Sequence, residues 1–82
     1  MALRISITST QCAGMTATPR GDAYRWIVTF QFDGDDVQGT AVSLEVVGPQ
    51  QPVEAQEQAI SILRRFTHEA REAAERYEPF CA

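Results

Sequence analysis

PVEAQEQAISILRRFTHEAREAAERY, residues 52–77, carries the clearest structural pattern in the chain. On a wheel of about 100° per residue, Ala59, Leu63, Phe66, Ala70, Ala73, Ala74 and Tyr77 share one stripe. Ile60 and Ile62 flank it. Glu57, Ser61, Arg64, Arg65, His68, Glu69, Arg71, Glu72, Glu75 and Arg76 take the other side. That separation predicts one long two-faced helix. Pro52 suits its first turn, where a missing N–H costs nothing, and Pro79 stops it. Glu54 and Glu57 sit near the positive end of the helix dipole. The small alanines of its second half predict that this part lies close against a sheet.

The sheet has to come from the residues before it. Leu3 to Thr8 alternates apolar and polar, the period of a half-buried strand, with Leu3, Ile5 and Ile7 facing inward. Residues 9–22 lose that period and carry Gly14, Pro19 and Gly21, so a long loop is expected there. Ala23 to Phe32 is the strongest strand. Tyr24, Trp26, Val28, Phe30 and Phe32 fall on one face, and Arg25, Ile27, Thr29 and Gln31 on the other. Asp33-Gly34 breaks the pattern with a hairpin signal. A third strand over residues 37–47 points Val42, Leu44 and Val46 inward. The expected fold is therefore α+β: a three-stranded antiparallel β-meander with one long C-terminal α-helix packed on one face, in a single domain spanning residues 1–82. Trp26, Phe30, Leu44, Ile5, Leu63 and Phe66 are the expected core.

Composition narrows the partners. The formal net charge is −4, and all the positive side chains are arginine. Proteins that bind nucleic acid directly do so through clustered basic residues, so the fitting partner for this acidic chain is a basic protein surface. No signal-peptide pattern and no apolar run of about 18 residues is present, which makes the expected location cytoplasmic and excludes a membrane partner. In a reducing cytosol Cys12 and Cys81 are expected as free thiols. Two cysteines and one histidine cannot complete a four-ligand zinc site, and no cofactor or metal is expected.

No catalytic motif stands out. His68 falls on the polar helix face with no partner fixed by spacing, so it reads as a solvated side chain, and the chain reads as a non-enzyme. Asp33, Asp35 and Asp36 lack the spacing of a calcium loop. They form an acidic knob at a hairpin tip and, with Glu45, are the expected partner-binding residues, since carboxylates attract Arg and Lys. The alternative is a structural or adaptor subunit, including a homodimer. It would act through the open sheet face, where Ile27 and Val47 interrupt the polar residues, or through an edge strand.

The order of three strands and a helix invites comparison with double-stranded-RNA-binding domains. Their helix start is Lys-rich, whereas this one, Pro52-Val53-Glu54-Ala55-Gln56-Glu57, is acidic. HicB-type antitoxins place a strand after a similar helix, where this chain has a short tail. No functional residue is carried over from either. In character the chain is similar to small phage-encoded inhibitors such as anti-CRISPR proteins, being short, acidic and without catalytic motifs. That similarity implies an acidic surface docked on the nucleic-acid-binding site of a partner protein.

Overall fold

The computed structural model describes residues 3–78. Its elements are β1 (Arg4–Thr18), β2 (Gly21–Asp33), β3 (Thr40–Val47) and α1 (Pro52–Arg76). The strands form one antiparallel sheet in the order β1-β2-β3. The α+β meander with its C-terminal helix is the expected architecture. The positions of Pro79, Phe80 and Cys81 lie outside the described residues.

The expected loop over residues 9–22 is instead most of a long hairpin. β1 continues to Thr18, and β2 begins at Gly21. The register explains why the alternation fails there. Ile5 and Ile7 pair with Phe32 and Phe30, but Thr10 and Cys12 pair with Val28 and Trp26, and Met15 pairs with Tyr24. Each shift in register, between Ile7 and Ser9 and again between Cys12 and Met15, adds one residue to β1. A one-residue bulge moves every later side chain to the opposite face. The inner face of β1 therefore reads odd, then even, then odd. The hairpin closes through Pro19 and Arg20, neither of which has a positive φ, and Gly21 takes φ 109°. That left-handed position favours glycine.

β3 pairs with β2 only from Arg25 to Phe32. Beyond Arg25 the hairpin runs on as a two-stranded arm, and Met15 and Tyr24 on it are exposed. β3 begins at Thr40 rather than at residue 37. Residues 34–39 form the connection before it, tied by the Gly34 N–H donating to the Val37 carbonyl.

The core lies between the inner face of the sheet and the first half of α1. Trp26, Val28, Phe30, Phe32 and Val46 meet Ala55, Ala59 and Leu63, with Ile7, Val37, Val42, Leu44 and Ile62 half-buried around them. Trp26, Phe30 and Leu63 are thus core residues as expected. Leu44 packs at the core's margin. Ile5 and Phe66 do not belong to it, being 47% and 45% exposed. Ile5 sits on the edge strand, where one flank has no neighbour.

Pro52 occupies the first turn of α1 as expected, after an extended Gln51. The indole Nε1 of Trp26 donates to the Pro49 carbonyl at 2.8 Å, and Gln56 Nε2 donates to Thr10 Oγ1 at 2.9 Å. These bonds fix where the helix enters. The alanines that allow close approach are Ala55 and Ala59, both fully buried. Ala70, Ala73 and Ala74, expected against the sheet, are exposed, as is every described residue after Leu63. The reason is length. At about 1.5 Å per residue a 25-residue helix runs roughly 37 Å, and the eight-residue β3 only about 27 Å. The chain is accordingly elongated, with a radius of gyration of 15.5 Å. A compact chain of this size has about 12 Å.

Candidate functional site

The acidic residues singled out by the sequence occupy two separate places. Asp33 ends β2, and Asp35 and Asp36 lie in the connection that follows. Glu45 sits on the outer face of β3, paired with Ile27. Asp33 lies six positions along β2 from Ile27, about 20 Å. Glu45 and the acidic loop therefore do not form one surface.

Within the loop the carboxylates have different duties. Asp33 Oδ2 accepts from Gln31 Nε2 at 3.1 Å, and its Oδ1 accepts from the Gly39 N–H at 3.0 Å. The Oδ1 contact joins the two ends of the loop, and the Oδ2 contact steadies the carboxylate against the end of β2. Asp33 also lies opposite Arg4 in the register, a cross-strand arrangement that favours opposite charges. Gly39, with φ 65°, turns its N–H toward this carboxylate. Asp35 and Asp36 are exposed on the loop so closed. The arrangement can present negative charge on a fixed turn.

The outer sheet face is polar and has no helix over it. Thr29 and Ser43 share a 2.9 Å hydroxyl hydrogen bond. Arg25, an outward residue of β2, ties this face together. Its Nη2 donates to the Ala13 carbonyl at the second bulge, and its Nη1 lies 3.5 Å from Glu45 Oε2. Arg25 Nε is buried and has no hydrogen-bond partner among the described residues. Ile27 and Val47 are half-buried among these neighbours. The large exposed apolar side chains lie elsewhere: Leu3, Ile5, Met15, Tyr24, Val53, Ile60, Phe66 and Tyr77.

His68 Nε2 lies 2.7 Å from Glu72 Oε1 on an open helix surface, with the histidine side chain 73% exposed. That is the solvated helix face the sequence suggests. Cys12 is exposed and unbridged. No group of three or more metal-binding side chains occurs among the described residues, and no described helix is long and apolar enough to cross a membrane. An open depression where the β3–α1 connection meets the helix is lined by Gly48, Pro49, Glu54, Glu57, Gln58 and Ser61.

No protein-family model, curated protein or solved structure matches the chain.

Proposed function

We propose that this protein is a non-enzymatic binding module that docks the acidic loop between β2 and β3 on a basic surface of a partner protein. The observation that carries this reading is the division of labour in the loop. Asp33 Oδ1 holds the Gly39 N–H and so closes the loop, its Oδ2 holds Gln31 of β2, and Asp35 and Asp36 stand exposed on the turn so formed. A loop ordered before binding loses less entropy on docking. In its finer form the partner handles nucleic acid, and the module acts as an inhibitor of the anti-CRISPR kind, its carboxylates standing where phosphates would.

The test separates display from folding. Asp35→Asn with Asp36→Asn removes charge from the exposed loop and leaves the Asp33 hydrogen bonds in place, and circular dichroism checks that the variant stays folded. The immobilised protein is challenged with nuclease-treated bacterial lysate at low and high salt. A basic partner retained at low salt, released at high salt and lost with the double variant supports the reading. Equal capture by the double variant sinks it.

Pairing through the free edge of β1 has less support. The bulges of β1 interrupt its free edge twice, a device that blunts edge-to-edge addition.

A further inference from the structure

The apolar stripe that meets the sheet at Ala55, Ala59 and Leu63 does not end there. It continues through Phe66, Ala70, Ala73 and Tyr77 with no sheet beneath it, Phe66 being 45% and Tyr77 69% exposed. The spacing from Leu63 onward alternates three and four residues, the repeat of a helix that packs along a second helix. We propose that two copies of this chain pair antiparallel through these projecting helix halves.

Charge selects both the occupant and its direction. The positions flanking the seam are Ile62, Glu69 and Arg76 on one side and Thr67 and Ala74 on the other. Glu69 and Arg76 are the only charges among them, and they are opposite in sign. In an antiparallel pair like flanks face each other. Ala70 then lies across from Ala73 of the second copy, and Glu69 lies across from Arg76 of the second copy, twice by symmetry. Stepping four residues back from Ala70 reaches Phe66, and four on from Ala73 reaches Tyr77, so the aromatics meet at both ends of the seam. The alanines at the centre permit close approach. A parallel pair would instead set Glu69 against Ala74 and Ile62 against Thr67, with no ion pair. Within the chain Arg76 Nη1 is 3.9 Å from Glu72 Oε2, a long contact that leaves the guanidinium able to reach across. A two-fold pair also closes on itself and does not propagate. So short a seam falls at the small end of specific interfaces, so the pair is a transient one.

The proposal is independent of the acidic loop, which shares no residue with it. Sedimentation equilibrium is measured on the wild type, on Glu69→Arg, on Arg76→Glu, and on an equal mixture of those two variants. Circular dichroism confirms that each stays helical. Either variant alone sets like charges opposite and weakens self-association by roughly tenfold or more. The mixture restores attraction at both sites, since each arginine then faces a glutamate, and it recovers association near the wild-type strength. Ala70→Glu abolishes the dimer without unfolding the monomer, because the residue is exposed. A wild type that stays monomeric at millimolar concentration overturns the proposal. So does a dimer indifferent to Ala70→Glu, or a mixture no tighter than its components.

Discussion

The two halves of α1 have the same kind of amphipathic sequence and different reasons to be helical. From Pro52 to Leu63 the helix is held by burial: Ala55, Ala59 and Leu63 close over Val28, Phe30 and Val46. From Arg64 to Arg76 it holds itself. Arg71 Nε donates to Glu75 Oε1 at 3.1 Å, Glu72 contacts both His68 and Arg76, and Thr67 Oγ1 bonds back to the Leu63 carbonyl. Alanine, glutamate and arginine there are strong helix formers. Intrinsic propensity suffices to extend a helix whose nucleus already exists, because each added residue gains a hydrogen bond without a new nucleation step. Amphipathicity thus records that a helix has a face to cover. It does not record what covers it.

The sharpest way to break this comparison is hydrogen exchange measured along the helix. Amides of the buried half should exchange only on global opening, and those past Thr67 through local fraying near the free end. Uniform protection along α1 in protein too dilute to pair would mean that the chain's own sheet covers the second half. Next in size is Leu63→Ala, expected to cost about 2–5 kcal/mol in denaturant unfolding because it leaves a void under the helix. Trp26→Phe keeps the ring packing but leaves the Pro49 carbonyl, which is held in a buried residue, without its donor. A loss of about 1–3 kcal/mol is expected. Phe66→Ala, one turn beyond Leu63, should cost less than about 1 kcal/mol in dilute solution. A cost equal to that of Leu63→Ala would place Phe66 in the core and refute the division. The smallest effect is that of Glu72→Ala, which removes two helix-surface pairs worth about 0.2–0.5 kcal/mol each. It should show as a modest loss of helicity confined to the second half.

β1 and β2 make a parallel case for what pattern can and cannot reveal. β2 alternates without interruption, and its face assignment from Trp26 to Phe32 can be read directly. β1 carries the same kind of inner face, but two inserted residues reverse its parity. Thr10 and Cys12 then appear out of phase between Ile7 and Met15, and the segment reads as loop. Gly14, with φ 101°, sits at the second of these interruptions and was the available signal, since an isolated glycine in a strand often marks a bulge. In the acidic loop, the carboxylates were legible but their roles were not. Nothing in Asp33-Gly34-Asp35-Asp36 says which aspartate turns inward to bind the Gly39 N–H.

The class of the fold, the sheet order, the central strand and the helix can all be read from the chain without its structure. Each of these rests on local periodicity and on turn residues, which are properties of neighbours in the chain. Tertiary structure alone decided how far the hairpin extends, which alanines touch the sheet, that Ile5 and Phe66 are left outside the core, and that Glu45 stands apart from the aspartates. Those outcomes depend on register and relative length. Both are fixed only when one element is laid against another, because a bulge in β1 is defined by its partner strand and an uncovered turn of helix by where the sheet stops.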